Sequence, residues 1–138
     1  MSIYEKIGVK TIINAAGNWT ILGGSIMSDN VLQAMVEAGK YFVDMKELHK
    51  KAGEIIAKIT GAEAAMVTSG AAGGILLATA ACIASNDIEK IRQLPFSQNM
   101  KNQVIIQKGN RTIYDHLIEV AGGVIVEIGS EERTLLKN

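Results

Sequence analysis

The spacing of apolar residues predicts two amphipathic helices in the first half of the chain. The first follows Ser28, which can cap a helix, and ends near Gly39. The second begins at Asp44, with Glu47 three positions later as in a capping box, and Gly61 gives it a C-terminal stop. The apolar faces consist of Val31, Leu32, Met35 and Val36 in the first helix and of Leu48, Ala52, Ile55, Ile56 and Ile59 in the second.

Short apolar runs, typical of buried strands, alternate with helical stretches in the second half. The predicted strands are 64–67, 104–107 and 124–128, with a further short one at 12–13. The predicted helices are 71–84, which is apolar nearly all round, 87–93 and 113–121, and residues 96–102 are a predicted loop. This order is typical of a parallel sheet with crossover connections, so the predicted fold class is α/β. The sheet looks incomplete, and residues 131–138 resemble the opening of another helix.

Composition narrows the class of protein without changing this picture. The 138 residues suit one compact domain, 48% of them are apolar, and the formal net charge of zero gives no indication of nucleic-acid binding. A single cysteine excludes an internal disulfide, and the start of the chain is polar. No apolar run reaches the roughly 20 residues that cross a bilayer. We therefore expect a cytoplasmic protein with no membrane partner.

The junction at residues 67–74 has the chemistry of a phosphate site. A predicted strand leads into Thr68, Ser69 and Gly70, and a helix starts at Ala71. The first amides of that helix lack intrahelical partners and carry the positive end of its dipole, so they can hold a phosphate that the hydroxyls also contact. Close helix packing is an alternative reason for the glycines here. The nucleotide motifs G-x-x-x-x-G-K-[ST] and G-x-G-x-x-G are absent from the sequence.

Several segments in uninterrupted order resemble one family of enzymes. They are residues 13–25, 52–65, 68–74, 100–102 and 107–115, within a match that runs from about residue 8 to residue 129. The family consists of pyridoxal-phosphate (PLP) enzymes of fold type I. It includes D-glucosaminate-6-phosphate ammonia-lyase and proteins related to selenocysteine synthase, the L-seryl-tRNA(Sec) selenium transferase. The resemblance is specific for the family and not for the substrate.

The resemblance implies a partial three-layer sandwich with a mostly parallel sheet, the N-terminal part of the large domain of a fold type I PLP-dependent transferase. Residues 1–43 would form an N-terminal arm and helix that line an interface or active site. Residues 44–138 would form an incomplete PLP-binding α/β domain. The resemblance also implies a homo-oligomer, PLP as cofactor and a small amino substrate, with or without a phosphate group.

The resemblance assigns roles to particular residues as well. The cofactor-binding set is Thr68, Ser69, Gly70, Ala71 and Asn110, with Ser69, Gly70 and Ala71 at the PLP phosphate. Asn110 stands where relatives commonly carry a histidine against the cofactor ring, and asparagine can neither stack nor transfer a proton as imidazole does. The residues that would line the substrate or a subunit interface are Asn18, Trp19, Thr20 and Arg111.

No catalytic residue is assigned within the chain. The family binds PLP through a Schiff-base lysine and pairs an acid with the pyridine nitrogen, and both positions would lie downstream of Asn138. The predicted function is the N-terminal part of a PLP-dependent lyase or transferase that performs α,β-elimination on an amino substrate such as an amino-sugar acid. This chain alone would be inactive. The alternatives are a non-catalytic oligomerising remnant and a generic phosphate- or nucleotide-binding α/β domain.

The remaining chemistry-bearing residues have simpler structural interpretations. His49 and His116 lack a metal-ligand pattern, so no metal site is predicted. Cys82 lies among alanines in a predicted buried helix, which indicates an inert buried thiol. For Trp19, the simpler alternative to substrate contact is a packing role at an interface. With few aromatic residues and an incomplete sheet, the chain should expose apolar surfaces and associate unless a partner chain completes it.

Overall fold

The computed structural model describes residues 2–135 and divides into two compact units, Met1–Leu48 and His49–Asn138. Within the described residues, the helices are α1 (Ile3–Lys6), α2 (Asp29–Ala38), α3 (Met45–Thr60), α4 (Ala71–Ala84), α5 (Ile88–Gln93) and α6 (His116–Val120). The strands are β1 (Gln103–Gln107) and β2 (Val124–Ile128), and 3-10 helices lie at Thr20–Leu22 and Lys108–Asn110. The α/β class predicted from the sequence is confirmed.

The first unit contains short helices joined by loops. Ser2 caps α1 reciprocally, because the Glu5 amide donates to Ser2 Oγ at 3.1 Å and the Ser2 amide donates to the Glu5 carboxylate at 2.6 Å. The hydrophobic pattern does not predict this helix. The predicted α2 follows Ser28 as expected, although the Ser28 side chain makes no capping hydrogen bond. The short strand predicted at 12–13 is wrong, since these residues form no strand.

Helix α3, within which the boundary of the units falls, has the Asp44 cap and the Gly61 stop that the sequence predicts, without the return hydrogen bond from Glu47, within residues 2–135, that completes a capping box. The Asp44 carboxylate accepts hydrogen bonds from the amides of Lys46 and Glu47 at 2.8 and 3.1 Å. Gly61 follows the helix with a φ of +73°, the left-handed conformation that ends many helices. Both ends of α3 are therefore fixed by local sequence.

Gly53 lets the segment after α3 approach that helix closely. It is buried, and a Cβ atom at this position would overlap with the carbonyl oxygen of Ala65. The segment 64–67 is nevertheless not a strand, so this prediction is wrong. A strand needs a neighbour for its hydrogen bonds, and the sheet in the described part of the chain contains only β1 and β2.

The sheet consists of two parallel strands. β1 and β2 pair in register from Gln103 opposite Val124 to Gln107 opposite Ile128, which confirms the predicted parallel arrangement. Helix α4 packs against α5 and α6, and α6 packs against β2. Helix α6 starts later than predicted because residues 113–115 form a turn.

The buried part of the second unit is small. The buried apolar side chains among the described residues are Ala57, Ile83, Ala84 and Ala121. Ser97 is also buried; its hydroxyl donates to the Gly122 carbonyl at 2.6 Å and accepts from the Asn102 amide group at 2.7 Å. By contrast, the predicted apolar face of α3 and one face of the sheet are open, with Ile59 78% and Ile105 66% exposed.

The end of the described chain does not continue as the predicted helix. Residues 131–135 are bends and irregular backbone, so the helical opening predicted there is wrong for these residues. The rest of that prediction lies outside the described residues. None of the helices between residues 2 and 135 combines the length and apolar character needed to cross a bilayer.

Candidate functional site

The turn at residues 68–70 precedes an uncapped helix N-terminus. Helix α4 begins at Ala71 after Gly70, whose φ of +141° is a conformation that favours glycine. No side chain caps the helix, and the Gly74 amide is the first to donate within it, to the Gly70 carbonyl at 3.0 Å. The amides of residues 71–73 therefore have no intrahelical acceptor and can donate to an anion.

The two hydroxyls of this turn differ in what they can offer an anion. Thr68 Oγ1 donates to the Gly70 carbonyl at 2.9 Å, so its proton is already engaged. Ser69 Oγ makes no hydrogen bond within residues 2–135. It lies close to the first turn of α4, since a Cβ atom on Gly73 would be 2.9 Å from it. Ser69 is therefore the free hydroxyl donor, and Thr68 stabilises the turn.

These features fit the phosphate group of PLP. The amides of residues 71–73 and the Ser69 hydroxyl are donors at the positive end of the α4 dipole. A Cβ atom built on Gly70 would meet no atom within 4 Å, so the turn is open to a ligand. The site predicted from the sequence thus has the donor chemistry that a phosphate requires.

Asn110 lies at the carboxyl end of the sheet, in the 3-10 helix that directly follows β1. Its Nδ2 donates to Gln107 Oε1 at 3.0 Å. Together with residues 130–134, which follow β2, this segment lines a polar cavity of about 230 Å³. Ligands of open α/β sheets bind outside the carboxyl ends of the strands, so the location suits a binding role. No hydrogen bond joins Asn110 to the turn at 68–70 in the described chain.

The segment that lines this cavity on the β2 side, residues 130–134, is not predicted as part of a site. It forms a turn in which the Ser130 amide donates to the Arg133 carbonyl at 2.9 Å, and Ser130 Oγ accepts from the Arg133 amide at 3.2 Å. Gly109 allows the turn to approach, because a Cβ atom there would overlap with the Glu131 carbonyl. The available signal in the sequence is its position directly after a predicted strand of a parallel sheet.

Arg111 is held by two carboxylates. Its Nε donates to Asp115 Oδ2 at 2.6 Å, and its Nη1 donates to Glu127. The Thr112 amide, which donates to Asp115 at 2.9 Å, and then Arg111 hold the pKa of the Asp115 carboxyl below its ordinary value. The hydrogen bond to Asp115 in turn raises the pKa of Arg111. The guanidinium therefore ties β2 to the turn before α6, and its predicted contact with a substrate or interface stays a prediction.

The other predicted substrate or interface residues, Asn18, Trp19 and Thr20, lie in the first unit, at the start of the 3-10 helix Thr20–Leu22. The Trp19 carbonyl accepts hydrogen bonds from the amides of Leu22 at 3.0 Å and Gly24 at 2.9 Å, which gives the loop a compact local turn. The Trp19 residue is 62% exposed, so its ring is accessible to a ligand or a protein surface. Its predicted role stays a prediction.

Cys82 differs from its prediction. The cysteine is exposed, although its neighbours Ile83 and Ala84 on α4 are buried, so the predicted buried thiol is wrong. The apolar sequence of α4 predicts burial on every side, whereas in residues 2–135 other elements pack against only part of the helix surface. Residues 2–135 contain no group of three or more His, Cys, Asp or Glu side chains that could hold a metal ion.

Comparison with known proteins relates nearly the whole chain to known enzymes. No protein-family model matches the sequence. The chain is 37% identical over 136 residues to a 5'-C-glycyluridine monooxygenase-decarboxylase from a Streptomyces species, covering 95% of this chain and 34% of the relative. It is 39% identical over 133 residues to the D-glucosaminate-6-phosphate ammonia lyase of Salmonella typhimurium strain 14028s, covering 94% of this chain and 36% of the relative.

The comparison of folds agrees with the comparison of sequences. The structure of D-glucosaminate-6-phosphate ammonia-lyase matches with a TM-score of 0.90 and 38% identity, over 95% of this chain and 37% of that one. The chain thus spans about a third of the length of the relatives that it matches. Because those relatives carry different activities in their names, the similarity identifies the family rather than the reaction. By sequence and by fold, nearly the whole chain is homologous to a part of D-glucosaminate-6-phosphate ammonia lyase, an enzyme of a PLP-dependent family.

Proposed function

We propose that this chain supplies the phosphate-binding part of the cofactor site in a PLP-dependent lyase that acts on an amino-sugar acid. The observation that carries the proposal is the uncapped N-terminus of α4 beside the free Ser69 hydroxyl. The Salmonella relative is named for D-glucosaminate 6-phosphate, which carries an amino group, a carboxylate and a phosphate. An α,β-elimination from a substrate of this class, with or without the phosphate, is the proposed reaction.

The residues of the site divide between holding the phosphate and shaping the turn that presents it. The amides that begin at Ala71 and the Ser69 hydroxyl hold the PLP phosphate, while Thr68 and Gly70 shape the turn that presents them. Asn110 contacts the cofactor ring. When bound, PLP supplies an electron sink for charge that develops beside the amino group of the substrate. The residues from 2 to 135 are proposed to bind and orient, and none of them is proposed as the lysine that carries the cofactor.

We propose that these 138 residues do not catalyse the reaction alone, and that the chain acts in a cytoplasmic homo-oligomer with Asn18, Trp19, Thr20 and Arg111 at a substrate or subunit surface. Support comes from the 34% and 36% of the relatives' lengths that the chain covers. The exposed apolar faces of α3 and of the sheet add surfaces suited to assembly.

PLP binding tests the proposed function directly. The purified protein is incubated with PLP, retention is measured after dialysis by absorption, and borohydride reduction is followed by intact-mass determination. We expect PLP to be retained without a stoichiometric reducible adduct at any single lysine of the 14.7 kDa protein. A stoichiometric adduct trapped at one lysine would contradict the proposed inactivity of the chain alone, and no retention of PLP would contradict the phosphate-binding role.

A pair of serine variants makes this experiment specific to the junction. Ser69→Ala removes the free hydroxyl and should weaken retention of PLP, with inorganic phosphate as a competing ligand. Ser25→Ala is the matched control, because Ser25 is also exposed and makes no hydrogen bond within residues 2–135. Equal weakening by both variants would show that the effect does not come from the α4 N-terminus.

A further inference from the structure

We infer that Arg133 binds an oxyanion of the substrate, a carboxylate or a phosphate, in the polar cavity at the carboxyl end of the sheet. This inference rests on the proposed function, since it adds a substrate-recognition residue to the same enzyme. The cavity lies between the 3-10 helix that follows β1 and the turn 130–134 that follows β2. It is therefore at the edge of the sheet where ligands of α/β proteins bind.

Arg133 is the available guanidinium in the described chain. Arg92 pairs with Glu89 at 3.1 Å, and Arg111 is held by Asp115 and Glu127. The Arg133 side chain makes no hydrogen bond or ion pair within residues 2–135, and the hydrogen bonds of this residue involve only its backbone. All of its side-chain N–H donors are thus free for a ligand, and a guanidinium matches the geometry of a carboxylate or a phosphate in a bidentate contact.

The backbone of Arg133 is fixed in this position. Its carbonyl accepts from the Ser130 amide at 2.9 Å and from Ser130 Oγ at 3.0 Å, and its amide donates back to Ser130 Oγ at 3.2 Å. Glycines on both sides allow the close packing of this turn, because a Cβ atom on Gly129 would overlap with Thr134 and one on Gly109 with the Glu131 carbonyl. A residue on a fixed turn loses less freedom when it binds a ligand.

The charges around the cavity favour directed binding over a general attraction for anions. The Glu131 carboxylate is paired with Lys108 at 3.4 Å. Glu132 also lines the cavity and makes no ion pair within residues 2–135, so the lining carries one unpaired carboxylate as well as the Arg133 guanidinium. The volume of about 230 Å³ is smaller than the roughly 300–1,000 Å³ of sites that enclose a whole ligand. The cavity therefore suits one acidic group of a substrate.

Direct titration of D-glucosaminate 6-phosphate by calorimetry tests the role of Arg133 in the full protein as expressed. Arg133→Gln should weaken binding at least about tenfold, because it removes both the charge and the bidentate contact. Arg133→Lys should give a smaller loss, since it keeps the charge but not the planar fork. Arg92→Gln is the matched control and should leave binding unchanged, because Arg92 is exposed and paired with Glu89 on α5.

Two further probes identify the oxyanion. D-glucosaminate carries only the carboxylate and D-glucosamine 6-phosphate only the phosphate, so the probe whose affinity falls in Arg133→Gln names the group that Arg133 contacts. Equal binding of all probes by wild type and Arg133→Gln overturns the inference, as does a wild type that binds none of them. If Arg133→Gln fails to fold by circular dichroism, the comparison of wild type with Arg133→Lys decides.

PLP retention, measured in the same samples, separates this inference from the proposed function. An effect of Arg133→Gln on the substrate probes without any PLP retention would count against the cofactor proposal alone. Normal PLP retention with no effect of Arg133→Gln on the probes would count against the role of Arg133 alone.

Discussion

At the scale of single residues, hydroxyl groups have two different functions in this chain. Ser97 is buried and joins the Gly122 carbonyl to the Asn102 side chain, whereas Ser69 is exposed and makes no hydrogen bond in the described structure. A buried polar group that loses its hydrogen-bond partner keeps the free-energy cost of desolvation without the hydrogen bond that offset it, so the folded state becomes less stable. Stability and ligand binding should therefore respond to different serines.

Ser97→Ala should lower the free energy of unfolding by about 1–3 kcal/mol, because it leaves the Gly122 carbonyl without its donor. Ser69→Ala should change that free energy by less than about 0.5 kcal/mol. Urea unfolding followed by circular dichroism measures both values. A marked loss of stability in Ser69→Ala would mean that its hydroxyl supports the fold, and its assignment to the phosphate would lose its basis.

Asp115 predicts a dependence of stability on pH. The Thr112 amide and Arg111 hold the pKa of this carboxyl below its value in the unfolded chain. The folded state therefore stabilises the ionised carboxylate relative to the protonated acid. Asp115 therefore stabilises the fold above its unfolded pKa of about 4, and this contribution disappears as the pH falls through the lower folded pKa. Asp115→Asn should be less stable than wild type near neutral pH, and the difference should narrow in acid.

Urea midpoints at a series of pH values measure this effect of Asp115→Asn. Glu89→Gln is the control, because the ion pair of Glu89 with Arg92 is exposed on both sides and such pairs contribute little. A difference between wild type and Asp115→Asn that stays constant from neutral to acid pH would contradict the prediction.

At the scale of elements, the close approach of α3 and the segment after it depends on the absence of a side chain at Gly53. Gly53→Ala places a methyl group against the Ala65 carbonyl, so the segment must move away and stability should fall by about 1–3 kcal/mol. Gly39→Ala is the matched control, since its Cβ would lie 3.5 Å from the nearest backbone oxygen. Urea unfolding compares the two variants, and equal stability would contradict the packing.

Elements whose signals are local could be predicted from the sequence. Asp44 and Gly61 mark the ends of α3, and the apolar runs at β1 and β2 mark two paired strands. The segment 64–67 has the same apolar pattern and forms no strand, because strand formation also requires a neighbour that the pattern does not specify. The turn at residues 68–70 and the uncapped helix start after it could be predicted because their residues are consecutive.

The cavity at the carboxyl end of the sheet could not be predicted in the same way. It brings together two segments that are separated by α6 and β2, and only the register of the strands places Gln107 beside Ile128 and the turn that follows it. Arg133 carries no local motif that marks it as a binding residue. The Arg133 side chain has no partner within residues 2–135, whereas those of Arg92 and Arg111 are paired, and this difference appears only in the folded chain.

At the scale of the whole molecule, apolar side chains remain uncovered on one face of the sheet, where Ile105, Val124 and Ile128 are 66%, 49% and 39% exposed. Clusters of exposed apolar side chains mark surfaces that contact another protein.

We therefore predict that the purified chain self-associates, and that this association uses the open face of the sheet. Sedimentation velocity over a range of concentrations should show species larger than 14.7 kDa. Ile105→Glu should reduce their fraction, because a carboxylate on that face must lose its hydration on contact, whereas Lys101→Glu outside the strand should not.

The exposed thiol of Cys82 provides a second measurement of association. It should react quickly with a thiol reagent in dilute protein, and more slowly at high protein concentration if association also covers α4. If the protein sediments as a monodisperse monomer at all concentrations, the exposed apolar faces do not drive association, and the predicted assembly would be wrong.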